Sequence, residues 1–172
     1  MTMNGHWGWN KNDKRWKSDK DLIRKLVDIS SKGGNFLLNI GPKPDGTFPD
    51  KAVVRLKSIG NWMRVNSESI YGTTASPCKK PAWGRITTKR REDVTTLYLH
   101  VFDWPKNGEL RVALSNTPVS AKLLADTQRR IGVSSADGQI VLKLSGTAPD
   151  LICSVVKLEI KGVPQAASVS AE

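Results

Sequence analysis

The chain has 172 residues, of which 38% are apolar and 25% charged. That is enough for one domain or two small ones with a real core, and it excludes a disordered or fibrous chain. The net charge of +11 divides evenly, with 13 Lys/Arg against 7 Asp/Glu in residues 1–75 and 14 against 9 in residues 76–172. The densest cluster, "TTKRRED", is three cations followed by two acids. A solvated basic surface accounts for that spread better than a nucleic-acid-binding stripe.

No run reaches the roughly 18 apolar residues of a membrane span. The opening residues lack the basic start and apolar core of a signal peptide, and aromatic, loop-like sequence follows Met1 directly. The expectation is a chain that begins in mid-structure. Cys78 and Cys153 are too few for a disulfide framework, although a single bridge is open to them. With only His6 and His100 to join them, no metal site is expected.

Ser18 followed by Asp21 is a capping pattern, and Leu22, Ile23, Leu26, Val27 and Ser30 share one helical face. Gly33-Gly34 is the stop, so residues 18–32 are predicted as a helix. Phe36-Leu37-Leu38-Asn39-Ile40 is short and nearly all apolar, which predicts a strand buried on both faces, as in a parallel sheet. Gly41-Pro42 and Pro44-Asp45-Gly46-Thr47 are turn signals. Pro49-Asp50 then opens a second helix whose stripe is Val53, Leu56, Ile59, Gly60 and Met63, ending near Val65.

After Tyr71-Gly72 the period changes. "TTASPCKKPAWG" is a linker. "DVTTLYLHVFD", "GELRVALS", "VSAKLLAD", "GQIVLKLSG" and "ICSVVKLEI" then alternate with period two, which predicts an antiparallel sandwich. The tail "GVPQAASVSAE" is expected to fray.

Ligands of α/β sheets and barrels meet the loops at the C-terminal ends of parallel strands. That places Asn39, the Gly41–Phe48 loop and "NGHWGWNKNDKRW" on one face. Trp7 there suits a sugar platform or a plug in the mouth of the fold, while Trp9 and Trp16 suit packing. His6 could meet a ligand hydroxyl or cap its loop. Asn39, the polar residue of a greasy run, needs partners and could tie down the Gly-Pro turn. Asp45 has turn chemistry, Asp50 helix-start chemistry, and His100 lies inside a strand. "GPKPDG" lacks phosphate-loop spacing.

"HWGWN", "LIRKLVDISSKGGNFLLNIGPKPDGTFPD" and "RLKSIGNWMRVNSESIYGT", in this order, closely resemble the α-L-fucosidases of glycoside hydrolase family 29. The likeness runs from Met1 to about Thr73. It implies a fold that is α/β plus all-β: the last helix–strand–helix segment of a (β/α)8-like barrel, followed by a C-terminal antiparallel β-sandwich. The expected division is 1–72 for the incomplete catalytic domain, 73–83 for the linker, 84–162 for the sandwich and 163–172 for the tail.

The resemblance further implies removal of terminal α-L-fucose with retention, by an aspartate nucleophile and a second carboxyl group as acid/base. Both would lie upstream of Met1, so no catalytic residue is carried over and the chain alone is expected to be inactive. The substrate-binding expectation falls on Trp7, with His6 and Asn39 beside it; Trp9 replaces the tyrosine of a "WGY" pattern. A fucoside or fucosylated glycan is the implied partner, with no cofactor, metal, nucleic acid or membrane. Kinship implies a periplasmic, secreted or lysosomal parent. Two other classes compete with this reading, a non-catalytic carbohydrate-binding module and a basic polyanion-binding protein. An incomplete barrel is also expected to expose the apolar faces of both helices.

Overall fold

The computed structural model describes residues 1–167 and stacks three layers: two helices, a four-stranded sheet and a three-stranded sheet. Helix α1 spans Asp19–Ser30 and opens on a reciprocal cap. The Asp21 N–H donates to the Ser18 hydroxyl at 3.0 Å, and the Ser18 N–H donates to the Asp21 carboxylate at 3.2 Å. The helix ends two residues short of the predicted Lys32, and Gly33 takes the left-handed turn at φ +73. Lys32 instead pairs with Asp28 at 2.6 Å. Helix α2, Asp50–Asn66, starts after Pro49, and a short 3-10 turn, Ser67–Ser69, follows it.

The predicted buried strand is corrected. Phe36–Ile40 forms no named strand, only one parallel bridge, Asn39 with Thr2, and Leu37 is 74% exposed. An apolar run becomes a buried strand only where neighbours flank it on both sides. Among the described residues its one strand-like partner is the stretch around Met1–Met3, and Leu38 and Ile40 pack in a small cluster with Met3, Leu22 and Ala52.

Seven strands follow: β1 Gly84–Arg91, β2 Val94–Val101, β3 Glu109–Val112, β4 Pro118–Leu123, β5 Gly132–Ala136, β6 Gln139–Lys143 and β7 Ser154–Lys161. Their sheets run β1-β2-β7-β4 and β3-β6-β5, with every named pairing antiparallel. Ile86, Leu97, Leu99, Val156 and Leu158 from the larger sheet meet Leu110, Val112, Ile140 and Leu142 from the smaller, which makes a sandwich core. The sequence patterns found five of these strands. They missed β1, whose basic "KRR" end suits an edge strand, and β5, a small, largely exposed edge strand.

Both faces of β2 are covered. Leu97 and Leu99 point into the sandwich, while Tyr98 and His100 lie under the helices with Ile23, Val27 and Trp62. The apolar face of α1 is therefore not exposed as expected: Leu22, Ile23 and Val27 are buried. On α2, Trp62 is buried and Leu56, Ile59 and Met63 are half-buried, whereas Val54 and Val65 face outward. Arg24 reinforces the layer contact by donating to the carbonyls of Ile152 at 3.0 Å and Phe102 at 2.6 Å.

The cysteines are both free. Cys153 is buried with Trp62 and Tyr98, and Cys78 packs at the margin of the sandwich core, so they belong to different clusters. Residues 163–167 of the tail are not frayed: Ala166 bridges Leu114, and the Asn116 carboxamide donates to the Val163 carbonyl at 2.7 Å. The remainder of that tail, 168–172, lies outside the described residues.

Candidate functional site

The parallel contact between the two ends of the helical segment sets up the site. The Asn39 N–H donates to the Met1 carbonyl at 2.8 Å, and the Met3 N–H donates to the Asn39 carbonyl at 3.1 Å. The chain leaves both paired stretches at the same end, into the loop after Met3 and the loop after Ile40.

Two contacts bind these loops together. The Asn39 carboxamide donates to the Trp7 carbonyl at 2.6 Å, so Asn39 ties down the tryptophan loop and not the Gly-Pro turn. Gly41 is the second. A Cβ there would come within 2.4 Å of the Gly8 carbonyl carbon and 2.5 Å of the Trp9 nitrogen, so only a residue without a side chain fits. In the exit loop Asp45 accepts from the N–H and hydroxyl of Thr47, at 2.9 and 2.7 Å, around Gly46 at φ +81. That turn chemistry occupies the carboxylate.

Asp13 organises the tryptophan loop from inside. Its side chain is 1% exposed and accepts the N–H of Arg15 at 2.9 Å and of Gly5 at 2.7 Å. Those bonds, the one from Arg15 foremost, and the Arg15 guanidinium hold its carboxyl below the usual aspartate value of 3.8. The Trp16 indole donates to the Asp13 carbonyl at 3.2 Å, and the Arg55 guanidinium lies 5.4 Å from the Trp16 ring centre. Trp16 is thus a packing residue. Sequence reasoning passed over Asp13. The available signal was its isolation, since it is the sole acid among residues 1–18.

What remains at the surface is an open depression of about 630 Å³ lined by His6 to Asn12. Trp7 is 65% exposed and Trp9 40%. His6 is also exposed, with Nε2 3.2 Å from the Arg15 guanidinium and 3.9 Å from the Asp13 carboxylate. The structure brings His6, Trp7 and Asn39 together, the first two as exposed rim and Asn39 as their tether. His100 lies elsewhere, wholly buried under the helices. Among the described residues no three His, Cys, Asp or Glu side chains gather as metal ligands, and no helix is long and apolar enough to cross a membrane.

A flat aromatic ring at the C-terminal end of a parallel pair, beside an imidazole, suits the face of a sugar. The family comparison decides the kinship: the α-L-fucosidase model matches residues 1–68. These residues belong to the α-L-fucosidase family. The α-L-fucosidase of Dictyostelium discoideum is 32% identical over 143 residues, which are 81% of this chain and 29% of that protein. Among solved structures, the α-L-fucosidase of Vibrio sp. strain EJY3 superimposes with a TM-score of 0.86 at 33% identity, over 96% of this chain and 30% of that one. Isoenzyme 1 from Paenibacillus thiaminolyticus gives 0.82 at 33%, over 93% and 38%. The likeness therefore continues through the sheets, and the chain spans less than two fifths of each of these fucosidases.

Proposed function

We propose that this chain is the C-terminal portion of a retaining α-L-fucosidase and supplies one wall of its sugar pocket. The observation that carries the reading is the parallel Asn39–Thr2 bridge, with the Trp7 loop and the Gly41 loop leaving it side by side. In this reading residues 1–72 complete a (β/α)8-like catalytic domain, 73–83 link, and 84–162 form a separate sandwich domain. Loops at the C-terminal ends of barrel strands are where such enzymes bind substrate.

The chemistry divides between this chain and the rest of the enzyme. Retention needs a nucleophilic carboxylate and a second carboxyl group about 5–5.5 Å apart, the second kept protonated to give its proton to the leaving oxygen. The nucleophile bonds to the anomeric carbon as the glycosidic bond breaks, and water later releases fucose. Near the Trp7 loop, Asp13 and Asp45 are both taken up by backbone donors. Neither suits those roles, in keeping with the family resemblance, which places the reacting carboxylates in a part of the enzyme outside this chain.

This chain's residues position the sugar. The Trp7 ring offers an apolar face to the fucose methyl group, worth about 0.8 kcal/mol per buried methyl-sized group. His6 is placed to hydrogen-bond a sugar hydroxyl, with its ring steered by Arg15. Asn39 holds the Trp7 loop at its working height.

The test is an aryl α-L-fucoside assay. The purified 172-residue chain is expected to give no turnover, and turnover would overturn the division of labour. In an enzyme that includes this segment, Trp7→Ala should raise KM several-fold, roughly the factor of four that 0.8 kcal/mol represents. An unchanged KM would remove Trp7 from the pocket.

A further inference from the structure

The helical layer covers only part of the outer face of the four-stranded sheet. Ile23, Val27 and Trp62 lie against Tyr98, Cys153 and Val155. Toward the β1–β2 turn the face opens into a groove of about 440 Å³, lined among others by Lys89, Arg91, Thr96, Tyr98, Lys157 and Glu159. Strand register explains the set. Lys89 stands opposite Thr96 and Thr96 opposite Glu159, with Tyr98 opposite Lys157 in the next row, so period-two alternation sends all of them to one face.

Two features go beyond an ordinary solvated sheet. Tyr98 is 3% exposed and lines the groove, yet no other described residue hydrogen-bonds its hydroxyl. The ring is covered while the hydroxyl opens to the groove, where solvent or a ligand can take its hydrogen bond. Burial, and then the charge of Glu68, push its pKa up to about 12, so at neutral pH it is a proton donor. The second feature is charge. Lys157 lies 6.0 Å from the Tyr98 ring centre and 3.6 Å from the Glu68 carboxylate, and Glu159 accepts the Ser120 hydroxyl at 2.8 Å. Glu68 is paired with Lys157 and Glu159 keeps its charge beside the Ser120 hydroxyl, while Lys89 and Arg91 form no ion pair among the described residues, so the cations lining the groove outnumber the carboxylates.

We propose that this groove binds an anionic saccharide, a sugar chain bearing sulfate or carboxylate groups. Lys89 and Arg91 take the anionic group, and the Tyr98 hydroxyl donates to a sugar oxygen. The choice of a sugar over another anion rests on the fucosidase reading; the groove itself does not. The site is distinct from the Trp7 depression, with which it shares no lining residue. It would let the sheet hold a charged part of a glycan while the pocket handles fucose.

The experiment is calorimetric titration of the 172-residue chain with a dextran sulfate oligomer, an oligogalacturonate, neutral dextran and a DNA duplex. At least one anionic sugar is expected to bind, more weakly as salt rises, and neutral dextran is not. Binding of one anionic sugar alone identifies the group recognised. The double variant Lys89→Ser, Arg91→Ser should weaken binding about tenfold or more, since charge-assisted contacts are the strong ones. Tyr98→Phe should weaken it roughly three- to tenfold at an unchanged melting temperature. Trp7→Ala should leave it as it was, which separates a failure here from a failure of the fucosidase reading. No binding by any probe, equal binding of neutral dextran, tighter binding of DNA than of either sugar, or full binding by the double variant would each overturn the proposal.

Discussion

The indole N–H of Trp62 donates to the backbone carbonyl of Cys153 at 2.9 Å, and this buried bond joins helix α2 to the chain entering β7. Trp62 is 4% exposed and shares its cluster with Ile23, Val27, Tyr98 and Val155. Trp62→Phe keeps most of the packing and loses the bond, which costs about 1 kcal/mol. For a chain of this size that is a drop of roughly 2–4 °C in melting temperature. Trp62→Ala should cost about 3–5 kcal/mol. Equal melting of both variants and the parent would show that the helices and the sheet are not one cooperative unit.

Gly41 and Gly8 should respond unequally to the same change. Gly41→Ala pushes a methyl group into the backbone of Gly8 and Trp9, at an overpacking cost of about 1–3 kcal/mol. It should also shift the fluorescence of the tryptophan loop. A Cβ on Gly8 meets nothing within 4 Å, so Gly8→Ala should stay within about 0.5 kcal/mol of the parent. Thermal melts of the two variants make the comparison.

His100 should give the fold an acid sensitivity of its own. Its ring is fully buried with Nε2 3.0 Å from the Thr87 hydroxyl, and burial pushes its pKa down from 6.5 to about 3. The folded state keeps the ring neutral while the unfolded chain takes up a proton below pH 6.5. The stabilisation is therefore complete above pH 6.5 and is lost as pH falls from there toward 3. By pH 5 the loss is about 2 kcal/mol. Denaturant titrations at pH 7 and pH 5 read it, and in His100→Gln this slope should disappear.

The two thiols should separate by reactivity. Burial pushes the pKa of both upward, Cys153 far more than Cys78. A thiol reagent should titrate Cys78 slowly in the native protein and reach Cys153 only when the fold opens. Equal native rates would contradict the burial of Cys153 beneath Trp62.

Much of the local structure was legible in the chain. The Ser18–Asp21 cap, the Gly33 stop, the Asp45 turn and five strands all rest on interactions within a few residues or on strict alternation. The site was half legible. Trp7 and His6 stand out as an odd composition in a loop, whereas Asp13 stands out only by being the sole acid among residues 1–18, and its role of closing the loop onto Gly5 and Arg15 is a matter of geometry.

Local pattern by itself thus set the helices, the turns, the sandwich alternation and, through three specific motifs, the kinship of the first 68 residues. Only the tertiary arrangement decided which faces are covered. Phe36–Ile40 reads as a strand buried on both sides, yet it has one bridging partner and leaves Leu37 in solvent. Alternation along β2 does not say what covers its outer face, and there Tyr98 and His100 are closed off by helices drawn from far along the chain. Burial is a property of neighbours, and residues that become neighbours across a hundred positions leave no periodicity in the sequence of either one.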